Sequence, residues 1–507
     1  MDKRWKRSLA LLMTVVMLLG LLPTAAFAAE EGNEGLMPTE EPQSEESIPV
    51  EAAPAAGSVR AGEPVTDWKE LQSKIDEGGS IAVSLPAELT SDGTITIPAD
   101  TDVTISAAED GTTLTIGSDD AFRVSGSLTL EGTITVAADG DELEAGFLSI
   151  AAGGIANLNG AVRVGADITS IESLIVCSGT LTMEEGGVVS GYTTNDMLEQ
   201  PAAVVVSGEN AVFTMNGGEI SNNIQTKGSN STKGGAVQIL EGAQFKMNGG
   251  KITGNNVYSD DKKSSIVVKG GGVYVDGGTM TMADGEISGN MAYQGGGVYL
   301  TGGAQFTMTG GAITENKYAH SAKFTPAGGG IYVGSGCALT VESTDKENPA
   351  TISDNKTADT GNYVQARGGG IFATGAEITL TDAVVSGNTS AIGSGIAGGG
   401  IYVEDGSTLT VTDCEISENS GYYSLDNMEY ESGGGGIVVD DDSSLNMSGT
   451  TVSGNTALYG AGVYLDGTTS VTITDCVISE NESLLDINNA NWYYNSCAAG
   501  GIFYNSS

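Results

Sequence analysis

The sequence predicts an all-β fold, a right-handed, single-stranded parallel β-helix, and three observations predict it. A glycine-rich opening recurs: "GGGVYVDG" at 270, "GGGVYLTG" at 295, "GGGIYVGS" at 328, "GGGIFATG" at 368, "GGGIYVED" at 398, "GGGIVVDD" at 434 and "GAGVYLDG" at 460. A looser copy, "GGAVQILEG", stands at 234, and "AGGIFYNS" at 499 ends the series. A closing signature of Ile or Val, Ser or Thr, any residue, then Asn recurs with it, placing Asn223, Asn255, Asn290, Asn316, Asn355, Asn388, Asn419, Asn455 and Asn481 in one slot. Finally, the strand-bearing part keeps a constant length, and surplus residues such as 257–269 and 421–432 fall only between a closing Asn and the next glycine. A fixed framework with insertions at one place per unit is how a solenoid behaves, because each unit buries its apolar face only on its neighbour.

The termini come first in chain order. "MDKRWKRS" is a basic start, "LALLMTVVMLLGLLPT" an apolar run and "AFA" a small-residue cleavage signature, so residues 1–28 read as a secretory signal peptide cut after Ala28. The expected location is therefore extracellular, secreted or on the cell surface. Removing four Lys/Arg and one Asp takes the formal charge from -44 to -47. Such a surface repels nucleic acid and anionic lipid, which need clustered cations, so neither is expected as a partner. His320 is the only histidine, which removes most His-based metal and triad chemistry. The five cysteines make no disulfide framework in a chain of this length; Cys414 and Cys476 share a slot two rungs apart and read as small buried residues.

Residues 29–64, rich in Glu, Pro and Ala, read as a disordered spacer. Residues 65–80 then carry one amphipathic helix. Trp68, Leu71 and Ile75 form its stripe, Thr66 or Asp67 caps it with Glu70 at capping-box spacing, and Gly78-Gly79 stops it. Residues 81–186 show irregular period-two strands such as "SLTLEGTITVAA", and 187–507 form the regular repeats, three strands per unit: "VYV", "TMTM" and "EIS" in 270–290. A propeller blade needs about 40 residues and four antiparallel strands, and neither a leucine-rich nor a nonapeptide calcium motif is written here.

The slots have physical roles. Counting from the opening glycine, positions four and six point inward and position five outward. The glycine run permits a tight turn, and the recurring Asn suits left-handed backbone and a side-chain ladder. These paired motifs resemble the GGAI and FxxN repeats of chlamydial polymorphic outer membrane proteins and, more broadly, pectate-lyase-like β-helices and bacterial β-helix adhesins. The resemblance covers roughly 187–507; here Ile or Val replaces the Phe, and no autotransporter barrel follows. The chain stops at "GGIFYNSS" without a polar cap, a sorting signal or a span, so a longer gene product is expected.

Fold of this kind hosts both polysaccharide-cleaving enzymes and non-catalytic surface proteins. The resemblance to pectate lyases implies a basic residue beside acids. After the signal peptide only Arg60, Arg123, Arg163 and Arg367 remain as arginines, and Arg367, abutting an opening glycine, reads as a solvated turn residue. Neither the Gly-His-Gly nor the Arg-x-Lys of polygalacturonase-like enzymes occurs. No catalytic residue is assigned.

Two columns offer binding chemistry. The fifth slot reads Tyr274, Tyr299, Tyr332, Phe372, Tyr402, Val438, Tyr464 and Phe503, an outward aromatic column on which sugar rings could stack. The seventh slot ends in Glu404, Asp440 and Asp466 on consecutive rungs, with Asp405, Asp441 and Asp442 beside them; stacked like charges either splay into water or hold a cation, and calcium suits such oxygens. The reading is a secreted or surface-displayed, adhesin-like protein that binds glycans or surface ligands without catalysis. A polysaccharide lyase or hydrolase is the alternative, and a passive stalk the third.

Overall fold

The computed structural model describes residues 62–166, 168–194, 201–226, 232–258, 267–318, 326–357, 366–391, 397–422, 433–483 and 500–505. Residues 1–28, read above as a signal peptide, residues 29–61 of the expected spacer, His320, Cys497 and most of the long insertions lie outside the described residues.

Alternation builds each coil. In the unit at 270, Val273 and Val275 on the opening strand Val273–Asp276, Met280 and Met282 on the middle strand Thr279–Met282, and Ile287 on the closing strand Glu286–Ser288 are all buried. Their neighbours in sequence face away from this core, as a period of two requires. A fourth, two-residue strand, Met291–Ala292, follows the ladder Asn and was not legible in the repeat. Each strand pairs in parallel with its counterpart one coil on: Tyr274 with Tyr299, Met280 with Phe306, Ile287 with Ile313. Repeated down the chain, this gives an opening sheet of 14 strands, a middle sheet of 15 and a closing sheet of 14, all parallel and enclosing one core. The chain is a right-handed parallel β-helix.

The sheets cross residue 186 without a break: Ile175–Cys177, Thr180–Met183 and Val188–Ser190 pair onward with 204–206, 212–215 and 219–221. At the N-terminal end the helix α1 (Trp68–Ile75) covers the core with Trp68, Leu71 and Ile75. Asp67 caps it by accepting from the Glu70 amide at 2.9 Å, and Glu70 returns to the amide and hydroxyl of Thr66 at 2.7 Å each. The spacer ends earlier than its composition suggests, because Glu63–Pro64 pairs with Val83–Ser84 as the first strand of the middle sheet.

The nine asparagines form one ladder, buried at every position but the last, Asn481. Each of the first eight donates both its backbone N–H and its Nδ2 to the Oδ1 of the next, as Asn290 does to Asn316 at 3.0 Å in both cases. The second Nδ2 hydrogen goes back to a closing-strand carbonyl, Ile252 O at 2.8 Å for Asn290. One expectation is corrected: the left-handed residue is the one before the ladder Asn, not the Asn itself. Asn222, Glu315, Asp354, Glu418 and Glu480 have φ of 54 to 57°, and glycines hold the other four positions. That turn aims the Asn amide inward.

The opening glycines answer to the same geometry. Gly270 has φ +64°; a Cβ on Gly271 would lie 2.4 Å from Gly296 O; one on Gly272 would lie 3.1 Å from Asn290 Nδ2. The triplet and the closing Asn are therefore two halves of one packing contact, which is why they recur together.

Candidate functional site

The opening strand carries the fifth-slot aromatics away from the main core, and they stack in register. Ring centroids are 5.5 Å apart for Tyr274–Tyr299, 4.5 Å for Tyr299–Tyr332, 5.0 Å for Tyr332–Phe372 and 5.8 Å for Phe372–Tyr402. Val438 interrupts the column, and Tyr464 resumes it against Phe503 at 5.3 Å. The column is not an open platform, which corrects the expectation of exposed rings. Tyr274, Tyr299, Phe372, Tyr402 and Tyr464 are all buried, and only Tyr332 among the assigned residues is half-buried.

The cover is the residue just before each glycine triplet. These residues pair along the stack, Lys233 with Lys269, then Gln294, Ala327 and Arg367. Each cation lies over the ring one coil on: Lys233 is 5.8 Å from the Tyr274 centroid, Lys269 5.0 Å from Tyr299, and Arg367 5.2 Å from Tyr402. Burial pushes the phenols of Tyr274, Tyr299 and Tyr402 up, and that of Tyr332 to about 12. The sequence carries a signal for this set, a Lys or Arg directly before a glycine run three times, at 233, 269 and 367.

Arg367 is accordingly not a solvated turn residue. Its Nη1 donates to Glu404 Oε2 in an ion pair, and the two side chains are only 24% and 10% exposed. One coil on, the Tyr402 hydroxyl donates to Asp440 Oδ2 at 2.6 Å, and Asp440 Oδ1 accepts the Asp441 amide at 2.9 Å. Burial pushes the Glu404 carboxyl up to about 7 despite the guanidinium beside it, and raises Asp440 as well. Two seventh-slot residues, Glu404 and Asp440, thus gather with the neighbouring Asp441, their carboxylate oxygens within 4.8 Å of one another, while the third, Asp466, stands one coil on, outside that group. The stack already supplies one counter-ion of its own, Arg367. Arg123 lies 3.8 Å from Asp120, and Arg163 donates to Ser190 at 3.2 Å. All four described cysteines are free.

Fold and site together define a parallel β-helix whose coils are tied by an amide ladder and whose aromatic column is covered by cations at Tyr274, Tyr299 and Tyr402. Residues 321–507 match the family model described as a right handed beta helix region. No curated protein matches the chain. No solved structure matches it either. A β-helix of this type fits a surface or carbohydrate-active protein in general.

Proposed function

We propose that the chain is a secreted or surface-displayed β-helix that binds glycans or other surface ligands without catalysis, in the manner of an adhesin. The observation that supports this reading is the unbroken register of its sheets over 14 to 15 strands. Outward side chains consequently repeat at about 4.8 Å per coil, a repetition suited to an extended ligand with a repeat of its own. The acidic surface disfavours nucleic acid and anionic membrane as that ligand. Extracellular location rests on the basic, apolar and small-residue order of residues 1–28. A glycan array probed with the whole chain tests the reading: selective retention on some glycans is expected. Uniform failure to bind glycans and cell surfaces would leave a passive stalk.

The enzymatic alternative is favoured by one observation, a Glu404 carboxyl held near 7 beside Asp440, since a carboxyl of that kind suits general acid–base work. Release of unsaturated or reducing-end sugar, abolished by Glu404→Gln, would replace the binding reading with a lyase or hydrolase. Calcium at Glu404, Asp440 and Asp441 is proposed alongside, in competition with Arg367.

A further inference from the structure

The middle sheet has an outward rank that the repeat motifs do not advertise. It runs in register from Thr104 to Thr472 over thirteen coils, with ten Thr, two Asn and one Lys, and none of these side chains is buried. Strand propensity favours Thr at exposed positions, yet it does not account for the distribution of charge. Over the ten coils from Thr182 to Thr472 this rank carries one charged residue, Lys246. The first outward rank of the closing sheet, over the same ten coils from Val188 to Val477, carries four: Glu219, Lys251, Glu286 and Glu415. The closing sheet's second outward rank, from Ser190 to Ser479, is uncharged as well, but Ser190, Ser221, Ser288 and Ser417 in it are buried, so in a chain of net charge -44 it is the middle sheet that presents an accessible central rank free of carboxylates.

We infer that this face is the binding surface and that its ligand is an extended, uncharged polysaccharide lying along the stack. The inference rests on the glycan-binding reading and names its face and ligand class. Each Thr hydroxyl both donates and accepts, which matches sugar hydroxyls that do the same, while its methyl packs on the C–H side of a ring. A carboxylated polymer gains nothing from a rank with a single cation, and the acids elsewhere on the chain repel it. A protein partner would need buried aromatic or large apolar anchors, which the rank does not contain. Affinity comes from many weak, evenly spaced contacts, so it grows with ligand length.

Co-sedimentation of the whole chain with cellulose and chitin, and affinity gels of xylan, mannan and polygalacturonate, test this. The double variants Thr379→Lys/Thr410→Lys and Thr379→Val/Thr410→Val are compared with Thr351→Lys, an outward residue of the closing sheet. At least one neutral polymer is expected to bind, both middle-sheet variants to bind it at least tenfold more weakly, and Thr351→Lys to stay within twofold of wild type, with Tm unchanged throughout. Preference for polygalacturonate over every neutral polymer overturns the inference. So does undiminished binding by both middle-sheet variants, which would leave the general glycan-binding reading standing. A wild type that binds no glycan at all removes both.

Discussion

The hydroxyl of Tyr402 donates to Asp440 Oδ2 at 2.6 Å from a ring that is 0% exposed, so a phenol and a carboxyl of adjacent coils share one buried bond. Arg367 closes the arrangement from the other side through Glu404 and the Tyr402 ring. Three coils are thereby joined by polar side chains as well as by the sheets.

Removing the cation strands a buried carboxylate. Arg367→Gln is expected to lower stability by about 3 kcal/mol, the cost of breaking one side of a buried pair. Adding Glu404→Gln should recover much of that loss, because the orphaned charge goes with it. Denaturant melts of the two single variants and the double variant give the coupling directly.

The same pair sets a pH dependence. Glu404 is raised from 4.5 to about 7, so the folded state holds this proton more tightly than the unfolded chain does. Its contribution to stability is full below about pH 4.5 and is lost as pH rises through about 7. The Tm of wild type minus that of Glu404→Gln should therefore fall between pH 5 and 8, and a difference constant across that window would contradict the assignment.

Calcium should act differently on the two forms of the site. With Arg367 present the ion has to displace a guanidinium from Glu404. In Arg367→Gln the three carboxylates stand without it. A calcium-specific rise in Tm, above that from sodium at equal ionic strength, is expected to be larger in the variant. Equal gains in both proteins would leave the cation proposal without support.

Asn355 lies in the middle of the ladder, accepting from Asn316 and donating to Asn388 and to Ile313 O. Asn355→Ala leaves buried donors of Asn316 unpaired, and about 3 kcal/mol of destabilisation is expected. Asn355→Asp should fare no better, since it loses both Nδ2 bonds and buries a charge. Equilibrium unfolding that separates either variant from wild type by less than about 1 kcal/mol would show the ladder to be dispensable.

Gly330 tests the link between the two motifs. A Cβ there meets Gly370 O at 2.7 Å and Asn355 Nδ2 at 2.9 Å, whereas at Gly336 it meets nothing within 4 Å and only the φ of +74° is strained. Gly330→Ala should lower Tm much more than Gly336→Ala, which is expected to cost about 1 kcal/mol.

Much of this architecture was legible because it repeats. The period-two strands, the buried Val273 and Val275, the capping pair Asp67 and Glu70 and the nine asparagines each obey a local rule that the sequence states many times. What the sequence concealed was written once or depended on the next coil. The roofing of Tyr299 by Lys269 needs the pitch that sets one coil above another, and the pairing of Arg367 with Glu404 spans 37 residues of chain. Alternation gave the direction of Tyr274 relative to the core correctly, but not that a preceding segment covers it. The left-handed turn was placed one residue late, because Asn is the usual candidate and the true position varies among Gly, Asp, Glu and Asn.

The glycine–asparagine contact has one further consequence. Each coil from Asn223 to Asn455 offers its successor the same donors, and each from Asn255 to Asn481 presents its predecessor the same acceptor. The joint is therefore generic, and a coil copied or deleted in the interior meets compatible neighbours on both sides. Length becomes a quantity that gene duplication can tune freely, and a ligand of any reach can be matched by counting repeats rather than by redesigning a pocket.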